Sequence, residues 1–105
     1  MPDQILTVFR NRLRDEHRDE YGSTSARMTE LAREMPGFVD AKTFTADDGE
    51  RVTIVTFADL AGERAWRDHP EHREAQRAGI DRFYAEYSIQ VATVFYDHRL
   101  ELGDA

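Results

Sequence analysis

The densest run of chemically capable side chains in this sequence is Trp66 to Gln76, WRDHPEHREAQ, which gathers the only tryptophan and two of the four histidines around a proline. An indole offers a flat apolar wall and one N–H donor, an imidazole a base near neutral pH, and an amide a paired donor and acceptor. Taken with Asn11 upstream, these types describe a pocket in which an aromatic molecule meets a few polar groups. On a helix after Pro70, Gln76 shares a face with His72 and Arg73 on one side and with Gly79, Ile80 and Phe83 on the other. A structural helix would usually fill such a stripe with aliphatics, so polar groups between Trp66 and Phe83 point to a site. Each residue also has a plainer reading: Trp66 as a core anchor, His72 and Gln76 as a wet helix edge.

Other chemistries lack their residues. His69 and His72 are spaced for a metal, but the intervening proline bends the geometry, no third ligand lies nearby, and His17 and His98 fall in other elements. No metal site is expected. The absence of cysteine removes disulfides, thiolate nucleophiles, iron-sulfur clusters and cysteine-rich zinc sites. There is no Gly-rich phosphate loop, nucleophile elbow or dinucleotide fingerprint. A net charge of -7 disfavours nucleic acid as a partner. No apolar run approaches the ~20 residues of a membrane span, and no secretory signal opens the chain. Membrane partners are therefore not expected, and a cytoplasmic location is. The length, 105 residues, suits one domain over residues 1–105, with about 98–105 as a charged tail.

The elements that must position the tract follow from periodicity. Residues 4–13 alternate and carry β-formers, predicting a first strand that ends near Asn11 or Leu13. From Asp15 to Met35 the side chains of Tyr21, Ser25, Met28, Leu31, Ala32 and Met35 recur with helical period, and Pro36-Gly37 ends the run. Gly22 and the Ser-Thr-Ser that follows could bend that helix or admit a close neighbour. Two strands, Phe38 to Ala46 and Arg51 to Phe57, flank Asp47-Asp48-Gly49-Glu50, a hairpin signal. Helix is predicted from Asp59 to Asp68, interrupted at His69-Pro70, and resumed to about Tyr84; Glu86 to Asp97 is a last strand. The order is that of an α+β, ferredoxin-like βαββαβ fold with a four-stranded antiparallel sheet. Because both faces of the last strand are apolar and the helices cover only one side of the sheet, a homodimer packed sheet against sheet is expected.

Several phrases then resemble the antibiotic biosynthesis monooxygenase family, small ferredoxin-like proteins that form dimeric α+β barrels: Met35-Pro36-Gly37-Phe38, Asp47 to Arg51, Ala65-Trp66 with His69-Pro70, and Phe83-Tyr84-Ala85-Glu86-Tyr87. The resemblance spans nearly the whole chain. It implies either oxidation of anthrone-, phenol- or hydroquinone-type metabolites by dioxygen without a cofactor, or heme degradation. Both kinds of member use an asparagine on the first strand and a tryptophan on the second helix, which match Asn11 and Trp66. Heme-degrading members carry their iron-binding histidine farther along, where Ala75 and Gln76 stand here; His72 lies a turn earlier. Heme is thus the second choice, and a dimeric, non-catalytic binder of an aromatic metabolite is a further one. The resemblance assigns Asn11 to hydrogen bonding and Trp66 to stacking. Helical geometry adds His72 as proton acceptor, Arg73 as anion stabiliser and Gln76 as hydrogen-bonding partner, with Phe83 and Met28 completing the substrate-binding set.

Overall fold

The computed structural model describes residues 3–103. In chain order the elements are β1 (Ile5–Leu13), α1 (Arg18–Glu34), β2 (Phe38–Thr45), β3 (Arg51–Phe57), α2 (Leu60–Arg67), α3 (Pro70–Ala78), a π-helical turn (Gly79–Phe83) and β4 (Tyr84–Thr93). The strands form one antiparallel sheet in the order β2-β3-β1-β4, and the helices pack on one face, giving the ferredoxin-like α+β fold.

Register decides what the helices cover. Ile5, Thr7, Phe9 and Asn11 stand opposite Phe57, Val55, Thr53 and Arg51 of β3, and opposite Thr93, Val91, Ile89 and Tyr87 of β4. This is the helix-facing side, and it supplies the buried Ile5, Val55 and Phe57. The core joins Val55 and Phe57 to Leu31, Ala32 and Trp66, with Met28 and Met35 packed against them. The intervening residues Leu6, Val8, Val52, Ile54 and Ala92 belong to the opposite face, which no helix covers.

Helix ends follow local chemistry. The first helix starts at Arg18 rather than Asp15, because His17 has φ 62, a left-handed conformation that cannot continue a helix. Asp59 caps α2 by accepting from the Gly62 N–H at 3.0 Å, and His69 caps α3 through Nδ1, which accepts from the Glu71 N–H at 3.1 Å. Pro70 takes the first helical position, so α2 and α3 meet at the expected bend. At Gly62 an added Cβ would lie 2.3 Å from the Pro36 carbonyl oxygen, so α2 can approach that turn only without a side chain. Gly22, by contrast, has open space around it and admits no close neighbour.

Further boundaries differ from the sequence reading at the end of the second helical region and in the last strand, which begins at Tyr84 rather than Glu86. The second helical region ends in a π turn, whose carbonyls at Ile80 and Asp81, with that of Tyr84, accept from the Arg14 guanidinium at 3.1, 3.0 and 2.9 Å. The last strand ends at Thr93 rather than Asp97, because its partner β1 begins at Ile5, opposite Thr93. One more bond runs from the Val94 N–H to the Gln4 carbonyl. Beyond it Phe95 and Tyr96 are 95% and 75% exposed.

Candidate functional site

A cavity of about 200 Å³ lies between the helices and the sheet. Its floor is Thr7 and Phe9 of β1 with Thr53 and Val55 of β3; Tyr87 and Ile89 of β4 extend it toward an open edge. The helix α1 contributes Tyr21, Ser25 and Met28, and the far wall is Trp66, His72, Gln76 and Phe83. The periodicities that turned Tyr21 and Met28 of α1 toward the sheet and alternated β1 are the reason these side chains converge.

Five of the seven expected site residues therefore meet at one cavity: Met28, Trp66, His72, Gln76 and Phe83. Trp66 is a core anchor that also lines the cavity: its ring lies 5.8 Å from that of Phe57, and its N–H donates to the Met28 carbonyl at 3.2 Å. The donor is thus engaged with α1, leaving the indole face as the part available to a ligand. His72 packs against that indole, 4.3 Å between ring centres. Burial pushes the His72 pKa down, outweighing the nearby Arg67 carbonyl, so the ring stays neutral with a buried, unpartnered Nδ1.

The other two expected residues stand apart. Asn11 is on the cavity's face of β1, opposite Tyr87, but does not line it; it is 1% exposed, and neither atom of its amide has a protein partner. Arg73 points to solvent and stands 3.5 Å from Asp68. His69 spends its Nδ1 on the α3 cap. Among the described residues no group of three or more His, Asp or Glu is placed to hold a metal ion.

The sequence reading missed an aromatic cluster and a carboxylate. Around the cavity Tyr84 and Tyr21, Phe9 and Tyr84, and Phe9 and Tyr87 pack edge to face and Tyr84 and Tyr87 pack tilted, with ring centres 5.3 to 5.9 Å apart. Burial pushes the Tyr84 hydroxyl well above the usual tyrosine range, so it acts as a neutral group. Gly79 makes room for this ring, since a Cβ there would lie 2.3 Å from it. Glu63 is 0% exposed and lines the cavity one turn before Trp66. Arg67 Nη2 stands 3.0 Å from its Oε1 in an i,i+4 ion pair, and burial raises the Glu63 pKa against that cation. Its spacing from Trp66 was the one available signal. Bidentate contacts at 2.8 and 2.9 Å between Arg27 of α1 and Glu71 of α3 hold the helices across the cavity.

Comparison with known proteins yields one family and several close folds. The family model described as antibiotic biosynthesis monooxygenase matches residues 4–78. A Bacillus subtilis protein, uncharacterized protein YqjZ, is 31% identical over 93 residues, covering 89% of this chain and 81% of its own. Rv0793 from Mycobacterium tuberculosis superposes with a TM-score of 0.78 at 13% identity, covering 91% of this chain and 99% of that one. SnoaB from Streptomyces nogalater, described as a cofactor-independent oxygenase, gives 0.69 at 20% identity over 97% and 99%.

Proposed function

This chain belongs to the antibiotic biosynthesis monooxygenase family, and we propose that it oxidises a small, electron-rich aromatic metabolite of the anthrone, phenol or hydroquinone type with dioxygen, using no cofactor. One observation carries the reading: a cavity walled by aromatic side chains, into which turn polar groups without protein partners. The similarity in fold to a cofactor-independent oxygenase supports it. Such a substrate, once deprotonated, is itself the reductant of dioxygen, and the resulting peroxide collapses to a quinone. The protein binds the ring, assists deprotonation and excludes water. Trp66, Phe83 and Met28 hold the ring and Gln76 bonds one of its oxygens; the amide of Asn11, buried outside the cavity lining, bonds a substrate oxygen only when the adjoining wall shifts. His72, neutral and facing the cavity, accepts a proton, while Arg73 adds only positive charge from outside the wall. A homodimer packed through the uncovered sheet face completes the assembly.

The donors present do not fit heme. At the α3 position facing the cavity stands Gln76, whose amide is a poor iron ligand. His72, the only histidine lining the cavity, is stacked on Trp66. Titration with hemin should give no saturable Soret shift; a saturable shift would favour the heme reading.

The direct test is oxygen uptake with dithranol, an activated anthrone, in metal-free buffer. The wild type should consume dioxygen and form the anthraquinone, and Asn11→Ala and Trp66→Phe should each lower kcat/KM by about tenfold or more. Saturable quenching of Trp66 fluorescence without oxygen uptake would make the protein a binder of such molecules rather than an enzyme.

A further inference from the structure

Among the described residues four cavity-lining side chains carry buried polar atoms without a hydrogen-bond partner in the protein: the Thr7 hydroxyl, both carboxylate oxygens of Glu63, Nε of Arg67 and Nδ1 of His72. Buried polar groups are nearly always hydrogen-bonded, and the Glu63 carboxylate has only the Arg67 cation beside it, 3.0 Å away. These exceptions, all facing one cavity, indicate that the missing partner is a ligand with its own hydroxyl or carbonyl groups. The carboxylate is the most deeply buried of them, 0% exposed. It projects from α2, whose approach to the sheet depends on the absence of a side chain at Gly62, so its burial is built into the helix position. The charged and titratable groups around it are Arg67 at 3.0 Å, Arg64 and Asp68 on or beside α2, His72 from α3, Tyr21 from α1 and Tyr84 from β4. Only Arg67 is close enough to pair.

We propose that Glu63 is a catalytic general base of this enzyme, taking the substrate's carbon-bound acidic proton, while His72 accepts from a substrate hydroxyl and the Thr7 hydroxyl bonds a substrate oxygen. This rests on the monooxygenase reading above. For an anthrone, a proton of the ring methylene passes to the Glu63 carboxylate, and the C–H electron pair stays on the substrate as the enolate. Dioxygen takes up that pair as a C–O bond forms, and the peroxide anion recovers the proton from Glu63. The regenerated carboxylate then removes the second hydrogen of that carbon as a proton. The O–O bond breaks, the carbonyl forms, and the departing hydroxide takes the proton to leave as water. One dioxygen is consumed, the methylene becomes a carbonyl, and Glu63 ends as it began.

Glu63→Gln keeps the shape and removes the base. Under anaerobic conditions, dithranol added to the wild type should develop the enolate absorption band below the pH at which it appears in free solution. Glu63→Gln should quench Trp66 fluorescence equally on binding, show no enolate band, and lose oxygen uptake by roughly 100-fold or more, while Glu63→Asp recovers part of it. A second readout needs no variant: infrared difference spectra of the wild type should gain a protonated-carboxyl C=O band on anaerobic addition of dithranol. Binding and turnover in the wild type with an unchanged enolate band and rate in Glu63→Gln, or no carboxyl band should the variant not fold, overturns the role of Glu63 alone. A wild type that neither binds nor oxidises dithranol overturns the monooxygenase reading and this proposal together.

Discussion

A buried carboxylate and a half-buried imidazole face one cavity, and desolvation moves them in opposite directions: the Glu63 pKa rises from 4.5 and the His72 pKa falls from 6.5. Each shift opposes charge in a site poor in water, and together they bring a carboxylate and an imidazole toward similar basicity. Their signatures in stability are opposite. Between 4.5 and its raised pKa, Glu63 holds more proton in the folded state, so stability falls as pH rises through that window. Between its depressed pKa and 6.5, His72 holds more proton in the unfolded state, so its stabilising neutrality is complete above 6.5 and lost as pH falls. Urea unfolding at a series of pH values should show each slope, at most about 1.4 kcal/mol per pH unit and group. Glu63→Gln should abolish the loss on the alkaline side and His72→Phe the loss on the acid side. Exposed ion pairs cancel in each difference from wild type. A Glu63→Gln curve parallel to wild type would mean that the carboxylate is solvated.

At the scale of elements, local chemistry was legible where it acts alone. The break at His69-Pro70 follows from proline, β3 has the boundaries its alternation predicts, and the apolar period of α1 put Tyr21 and Met28 on the cavity side. What depends on a distant partner was not. The end of β4 is set by where β1 begins, and a strand has no local mark of where its neighbour stops. Glu63 reads in sequence as half of a solvated i,i+4 pair with Arg67, and its burial arises only when α2 settles onto the Pro36 turn. Arg14 likewise looks like one more charge in an acidic stretch. In the fold it clamps three carbonyls at the end of the π turn, the segment that carries Phe83 and leads into Tyr84. Arg14→Ala should therefore loosen one end of the cavity wall. Amide hydrogen exchange should accelerate from Gly79 to Tyr84 and stay unchanged in α1, with a loss of about 1 kcal/mol in global stability. Uniform acceleration across the chain would show that the clamp serves the whole fold instead.

For the whole molecule, the decisive feature is that the sheet is covered on one side only. Leu6, Val8, Val52, Ile54 and Ala92 form a continuous apolar strip on the face opposite the helices, and Phe44, on the same face, is 49% exposed. The segment after Thr93 adds Phe95, Tyr96, Leu100 and Leu102, all exposed. A contiguous patch of this kind on a sheet normally marks an interface, and a second copy supplies a matching face because a twofold axis sets each patch against itself. Stable association buries on the order of 1,200–2,000 Å², and a four-stranded face with an apolar terminal segment offers a surface of that kind. Sedimentation at micromolar concentration should give a dimer. Val8 sits on β1 between Ile54 and Gln90, near the middle of the strip. Val8→Glu would place carboxylates from two already acidic chains within one apolar contact, where desolvation and repulsion both oppose association. The variant should sediment as a monomer with an unchanged far-ultraviolet circular dichroism spectrum. Since Thr7 and Phe9 line the cavity on the other side of the same strand, the monomer's oxygen uptake with dithranol reports whether the second copy holds β1 in place. A wild type that sediments as a monomer would mean that this face meets some other partner or remains open to water.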